Sequence, residues 1–251
     1  MKKLLIYIII INFNISSFCQ QQCTILYTVA STNGSLEVLP YEGNKEEIDF
    51  FKNLSSGADE TLKKITYKLS LNNESTAFKL LQNKNSTDEL NQYALFSASE
   101  DEYYTKSDTL FRITEFSGKK FILSSKTDYN WTLINEQKTI DGFVCYKATT
   151  KRPWKIGAKG NENKTDYTIT AWYCPKIPIK HGPKGFGNLP GLILELQDNR
   201  VTFLAKNINL SSSENIDFTI FKKHTQLTED EFNNKIKEIR ENFFKRASEN
   251  K

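Results

Sequence analysis

The chain has 251 residues, 38% hydrophobic and 12% aromatic, which is enough apolar and aromatic mass to bury a real core. Its 34 basic and 30 acidic residues leave a formal charge of +4 and are mixed along the whole length. Without a concentrated basic run the chain lacks the electrostatic footprint of a nucleic-acid binder, so no nucleic-acid partner is expected.

The N-terminus reads as a secretory signal. Lys2 and Lys3 precede the apolar run Leu4 to Ile11, and small residues follow at Ser16, Ser17 and Cys19. Asn12 and Asn14 interrupt the run, which falls short of the roughly 20 apolar residues of a spanning helix. Cleavage after Cys19 removes residues 1–19 and starts the mature chain at Gln20. Retention and acylation of Cys19 would need a small residue before it, where Phe18 stands. Residues 20–251 carry no linker rich in Pro, Gly or Ser and read as one β-rich domain, with no further stretch apolar and long enough to cross a membrane.

Ile25 to Ala30 alternates as a first strand, and Thr32-Asn33-Gly34 follows as a turn. Pro40 to Asp59 mixes Glu, Lys and Phe and fits a loop, a short helix or a mobile insertion. Period-two alternation at Ile65, Tyr67, Leu69 and Leu71 ends at Asn72-Asn73, and Ala77 to Leu81 completes a hairpin. Residues 83–108 are rich in Asn, Ser, Asp and Glu and read as an exposed excursion. Leu110 to Phe116 and Lys119 to Ser125 flank Ser117-Gly118, a second hairpin with Gly available for positive φ. Trp131 to Ile134 and Thr139 to Thr150 continue the strand pattern across a polar connection at Asn135-Glu136-Gln137.

Gly142 to Thr150 and Thr165 to Cys174 enclose Gly157, Gly160, Asn161 and Asn163, the residues of a mobile tip. With the tip near Lys159-Gly160, Cys145 falls opposite Cys174, and Val144, Tyr146 and Ala148 share an apolar, core-facing side with Ile169, Ala171 and Tyr173. The cysteines then lie on the other face beside Phe143 and Trp172. In an oxidising compartment Cys145 and Cys174 form the candidate disulfide, closing a loop of about 30 residues and contributing about 3 kcal/mol. Cys23 is left over, either free or paired between chains. At the C-terminus Phe232, Ile236, Ile239 and Phe243 recur at helical steps, Thr228 and Glu231 have capping-box spacing, and Lys245 and Arg246 suit the helix end.

Residues 171–197, AWYCPKIPIKHGPKGFGNLPGLILELQ, and the upstream WTLINEQKTIDGFVCYKAT carry a resemblance. The chain is similar to the GLPGLI family, exported proteins of Bacteroidota without assigned biochemistry. The matches are Trp131, Ile140-Asp141-Gly142, Cys145, Lys147-Ala148, Ala171-Trp172-Tyr173, Ile177-Pro178, Gly182-Pro183 and Leu189 to Leu194, over residues 129–197, with looser agreement at 65–81. Asn188 replaces the first Gly of the name motif and, of the non-Gly residues, best tolerates the left-handed region. Pro190 biases Leu189 toward an extended conformation, and Gly191 permits a sharp bend that delivers Leu192-Ile193-Leu194 to the core. The loop is thus either a structural corner or a contact surface formed by Trp172, Tyr173, His181, Gly182, Pro183, Phe186, Asn188, Leu189, Pro190 and Gly191. The strand pattern, with fold-level likeness to envelope proteins of the lipoprotein-carrier type, implies a mainly β fold: one strongly curved antiparallel sheet or half-barrel with the C-terminal helix packed on it.

The two histidines, His181 and His224, have no second histidine or cysteine at ligand spacing. Nucleophile elbows, phosphate loops, dinucleotide fingerprints and His-Glu-x-x-His helices do not occur. Asp59-Glu60, Glu100-Asp101-Glu102 and Glu229-Asp230-Glu231 read as solvated or dipole-matching carboxylates, and Trp154, Trp172 and Tyr173 as sheet aromatics. The expectation is a non-catalytic protein without a cofactor, exported to the periplasm or outer membrane, that works through an outer-membrane partner in transport or assembly. The alternative is a carrier holding an apolar ligand, a lipid or peptide, against the curved sheet.

Overall fold

The computed structural model describes residues 23–34, 45–72, 75–81, 88–156, 163–211, 214–223 and 225–249. The leader, the hairpin tip with Gly157, Gly160 and Asn161, and His224 lie outside the described residues, as do the side chains of Trp154, Phe243, Lys245 and Arg246.

Twelve strands form one sheet: β1 Cys23–Ser31, β2 Thr66–Asn72, β3 Ser75–Leu80, β4 Glu102–Lys106, β5 Thr109–Phe116, β6 Lys119–Lys126, β7 Thr132–Ile140, β8 Phe143–Ile156, β9 Asn163–Cys174, β10 Leu192–Asp198, β11 Val201–Asn209 and β12 Gln226–Leu227. Their order is β12-β6-β5-β4-β3-β2-β1-β11-β10-β9-β8-β7. All pairs are antiparallel except the two-residue β12, which lies parallel to β6. Among the described residues four helices accompany them: α1 Lys45–Leu62, α2 Glu89–Ala98, α3 Thr219–Lys223 and α4 Glu229–Glu249.

The sheet is open but bent. Strands β6 and β7 stand ten intervals apart in the order, about 48 Å across a flat sheet. Residues 127–131 alone join them, a reach of about 20 Å. A flat arrangement is therefore excluded. The connection from β9 to β10, residues 175–191, crosses the inner side of this bend: its 3-10 turn Pro183–Gly185 packs against β3 and β4, and Gly185 abuts Leu110 of β5.

On the inner face the register aligns Tyr27 with Tyr67, Leu69 with Phe78 and Val29 with Phe203. These residues are buried with Ala58 and Leu62 of α1, Ala94, Leu95 and Ala98 of α2, and Ile177, Ile179, Phe186 and Leu189 of the β9–β10 connection. A second, smaller cluster covers the outer face: Ala77, Tyr104, Ile113 and Ile122 pack under Phe221, with Ile216, Phe218 and Ile220 beside them. Glu214 anchors that covering segment by accepting from Lys68 Nζ (2.6 Å) and Ser70 Oγ (2.5 Å).

Several expected elements stand where the sequence puts them. The hairpins β2–β3 and β5–β6 form, and Ser117 and Gly118 both take positive φ, 51° and 71°, as a type I′ turn requires. The capping box forms too: Glu231 N–H donates to Thr228 Oγ1 (3.2 Å) and Thr228 N–H donates to the Glu231 carboxylate (2.7 Å). Helix α4 rests Phe232 on Phe121 of β6, with ring centroids 5.3 Å apart, and buries Ile236.

Other expectations are corrected. Of the expected exposed excursion 83–108, residues 83–87 lie outside the described residues, and 88–108 are not an exposed excursion: Asp88 caps α2 by accepting from Asn91 N–H (3.2 Å), and β4 buries Tyr103, Tyr104 and Thr105. Lys45–Leu62 is a full helix. The inner face is therefore covered by α1, α2 and the β9–β10 connection, and α4 takes the β6 edge. Asn135-Glu136-Gln137 is not a connection; β7 runs through it with a bulge between Ile134 and Gln137, and the chain turns instead at Asp141-Gly142, with φ of 46° and 78°.

Candidate functional site

The family-like loop is an internal strut of the bend. Asn188 takes φ 65°, the left-handed conformation that Asn tolerates. Gly191 serves close approach instead of a positive φ: a Cβ there would stand 2.1 Å from the carbonyl oxygen of Cys174. Trp131 Nε1 donates to Gly187 O (2.8 Å), Tyr129 Oη to Gly185 O (3.2 Å) and Asn188 Nδ2 to Thr127 O (2.6 Å), fastening the strut to the β6–β7 link. Of the ten residues expected to make a contact surface, Trp172, Tyr173, Gly182, Pro183, Phe186, Leu189 and Gly191 are buried and His181 is half-buried. Asn188 and Pro190 are exposed. Burial lowers the His181 pKa to about 4, so its imidazole is neutral at physiological pH.

Under the strut lies a charged cluster that no short motif announces. Arg152 on β8 stands opposite Tyr167 on β9, both on the inner face. Asp198, at the end of β10, pairs with Lys184 Nζ of the strut and accepts from Tyr167 Oη (3.2 Å). Burial alone would raise the Asp198 pKa, but the Lys184 charge and hydrogen bond, helped by Arg152 and Tyr167, outweigh it and hold the carboxyl below its usual value. Burial likewise opposes the Lys184 charge, yet Asp198 raises that pKa. Nearby, Arg112 of β5 donates to Asp101 (3.1 Å) and to both oxygens of Glu229 (2.8 Å), with its Nε buried and unpaired.

On the outer face Lys138 Nζ donates to both Glu195 oxygens (2.8 and 2.7 Å) and lies 4.4 Å over the Trp172 ring, with Lys147 Nζ 5.8 Å from the same ring. Among the described residues there are open clefts, two of which have these linings. One, about 670 Å³, is lined by Phe96 with Glu100, Asp101, Glu102, Glu115 and Lys120 among others. The second, about 420 Å³, lies along Tyr129, Thr149, Lys151 and Thr168.

The register of β8 on β9 continues the expected alignment to Cys145 and Cys174, and both lie on the outer face with Trp172. The expected bridge is nonetheless not formed: Cys23, Cys145 and Cys174 are all buried free thiols. The Cys145 thiol turns instead to the carbonyl oxygen of Phe143, 3.5 Å away. Burial pushes the thiols of Cys23 and Cys145 up to about 12. Thiol reagents at pH 8 should therefore react with these two sites on the order of 10³-fold more slowly in the folded protein than in denaturant. Fast modification before unfolding, or a bridge found by non-reducing peptide mapping, would refute this.

The apolar inner face expected around β8 divides in two. Ala148, Ile169 and Ala171 are buried as expected, but Val144 is 49% and Tyr146 40% exposed, and Leu133 on the neighbouring β7 is 59% exposed. Strand β7 is the end of the sheet, and these three exposed side chains stand at that rim.

Residues 131–195 match a family model described as a protein of unknown function, Porph_ging. The match falls inside the stretch that resembles the GLPGLI family and covers about a quarter of the chain. No curated protein matches. Among solved structures the chain is similar to PNGF-II in P21 crystals (14% identity, TM-score 0.48, 85% of this chain and 32% of that one) and in C2 crystals (15%, 0.46, 83% and 31%). It thus spans about a third of the PNGF-II chain. A LolA superfamily protein from Nitrosomonas europaea aligns at 9% identity and TM-score 0.26, over 78% of this chain and 89% of that one. None of these structural likenesses carries an argument about activity. No described helix is long and apolar enough to cross a membrane.

Proposed function

We propose that the chain is an exported, non-catalytic envelope protein of the GLPGLI type that holds an extended segment of a partner, an outer-membrane protein, along the β7 side of its sheet. The supporting observation is the coincidence of a sheet edge with uncovered apolar side chains. Leu133 pairs with Ala148 in the register, so Leu133, Val144 and Tyr146 project from one face beside β7. Apolar residues grouped at an open edge are what a segment adding to a sheet would use, with main-chain hydrogen bonds for affinity and side-chain contacts for selectivity.

The edge is also guarded. The bulge interrupts it, and Glu136 is drawn onto Lys147 (3.0 Å), the kind of device that prevents indiscriminate strand pairing. Gln137 to Ile140 remains regular next to Tyr146 and Val144, and is the stretch where pairing is expected. An apolar-ligand carrier is the weaker reading, because the strut and two helices already occupy the inner face. Copurified lipid in native mass spectra would reverse that preference.

Photo-crosslinkers at Thr139 and Tyr146 in intact cells should both trap the same envelope protein through one continuous segment. Tyr146→Asp should abolish capture while changing stability by less than about 0.5 kcal/mol, as expected for an exposed site. Capture that survives Tyr146→Asp, or crosslinks that scatter over unrelated proteins, would remove the proposal.

A further inference from the structure

We infer that the cleft between the β6–β7 link and the outer face of β8 and β9 is a binding site for a neutral oligosaccharide. The cleft is a step in the sheet. Strand β7 pairs with β8 only as far as Thr132 opposite Thr149, whereas β8 runs on to Ile156 beside β9. Past Thr149 the main-chain groups of β8 that would meet β7 face the step instead, where a ligand can bond them. Residues 128–130 of the link form the other wall, and that link is held firmly, with Thr127, Tyr129 and Trp131 all hydrogen-bonded to the strut. A wall set before binding loses little freedom when a ligand arrives.

The lining selects the ligand class. A volume of about 420 Å³ falls in the range of small-molecule sites. Thr132, Thr149, Thr150 and Thr168 bring four hydroxyls to the cleft, and Asn130 an amide. These side chains both donate and accept, as the hydroxyls of a sugar do. Asp128 and Lys151 add one charge of each sign, so the lining as a whole favours neither an anion nor a cation. No purely aliphatic side chain lines it among the described residues, which disfavours a lipid. Tyr129 supplies the one flat apolar surface. Its hydroxyl is spent on Gly185 O and its ring is stacked on Phe186 with centroids 4.8 Å apart, so the ring is fixed in place for the C–H face of a sugar. The register carries the same chemistry beyond the cleft. Thr132, Thr149, Thr170, Gln197 and Thr202 stand opposite one another on five successive strands, a polar row about 19 Å long on the outer face. Thr149, Thr170, Gln197 and Thr202 are only half-buried, so solvent reaches the row. Its length suits several linked sugars better than one.

The cleft uses none of Leu133, Val144 and Tyr146, so its test stands apart from the partner reading. The full mature chain, with its threonine methyl groups isotope-labelled, is titrated with neutral hexasaccharides of glucose (α- and β-linked), mannose and N-acetylglucosamine, and with the acidic hexasaccharide of galacturonate. At least one neutral probe should shift the Thr132, Thr149 and Thr168 methyl resonances saturably, while that of the buried Thr105 stays in place. Thr149→Val and Thr168→Val should each weaken the binding about fivefold, the worth of one hydrogen bond, and Tyr146→Asp should leave it unchanged. Silence toward every neutral probe, tighter binding of the acidic one, or valine variants that bind like the native chain would overturn the inference. Should a valine variant not fold, the methyl shifts of the unmodified protein settle whether the ligand sits at these threonines.

Discussion

Replacing Asp198 with Asn should destabilise the protein by about 3–5 kcal/mol, the range found when one partner of a buried ion pair is removed, and lower Tm by about 10 °C. Asn keeps the shape of the side chain but leaves the Lys184 charge, 13% exposed at its side chain, without its counterion. The pH dependence should change sign as well. In the native chain the Asp198 pKa lies below its unfolded value of about 3.9. Its stabilisation is therefore complete above that value and is lost as pH falls through the folded pKa. Lys184 is shifted upward, so its share is complete below about 10.4 and fades as pH rises through the folded value. Without Asp198 the desolvation that opposes the Lys184 charge is no longer outweighed. The variant should then gain stability as pH rises from 7 to 9, where the native chain stays level as far as this pair is concerned. Adding Lys184→Met to Asp198→Asn should recover more than half of the loss, because the uncompensated charge and not the lost contact is the main cost. Urea melts at pH 5, 7 and 9 measure all of this. A loss under 1 kcal/mol would show the pair to be solvated.

The β part of this architecture was legible because its signals are local. Alternation from Tyr67 to Leu71, the Ser117-Gly118 turn and the β8–β9 register follow from side-chain period and from residues that tolerate positive φ. The box at Thr228 and Glu231 is equally local. Where the reading failed, a local signal was misweighed. Asp141-Gly142 is a strong two-residue turn pair, yet the polar run Asn135-Glu136-Gln137 before it carries the stronger compositional signal of a connection. Helix α2 is marked by Asp88 and by Ala94, Leu95 and Ala98 on one side, but the polar residues around it dominate the composition. In α1 a small residue does the packing: Gly57 lies under Leu90, whose Cδ2 would be 2.7 Å from a Cβ there, so the helix–helix contact leaves little apolar trace in the sequence.

The charged cluster was illegible for a different reason. Arg152 and Tyr167 belong to one hairpin and are paired by its register, but Lys184 comes from the strut and Asp198 from the far end of β10. No spacing rule joins them, since what brings them together is the bend of the sheet. That bend is fixed by two facts apparent only in three dimensions, the strand order and the short link between β6 and β7. The thiols make the same point from the other side: a register can align Cys145 with Cys174, but side-chain direction decides whether sulfur meets sulfur, and Cys145 is turned toward Phe143.

Phe78→Ala should be the other severe substitution, costing about 3–5 kcal/mol from transfer and cavity together. Phe78 is fully buried, lies 4.9 Å from Tyr67 in a stacked pair with planes 4° apart, and meets the edges of Tyr27 (6.0 Å) and Phe203 (5.8 Å). Two of its tyrosine neighbours, Tyr27 and Tyr67, tie separate layers to the sheet. Tyr27 Oη donates to the carbonyl oxygen of Ile193 (2.7 Å), just after the strut, and Tyr67 Oη donates to the carbonyl oxygen of Ser99 (2.5 Å), at the end of α2. A cavity at Phe78 lets both rings relax away from those carbonyls, so the damage should reach the strut and α2 together. Hydrogen exchange should then quicken at Ser99 and Ile193 alike, whereas Phe96→Ala, at a side chain 66% exposed, should change stability by less than about 0.5 kcal/mol. Faster exchange confined to β3 would mean that the two tyrosines are held by their own hydrogen bonds, and that the inner face is assembled from independent layers instead of around this one ring.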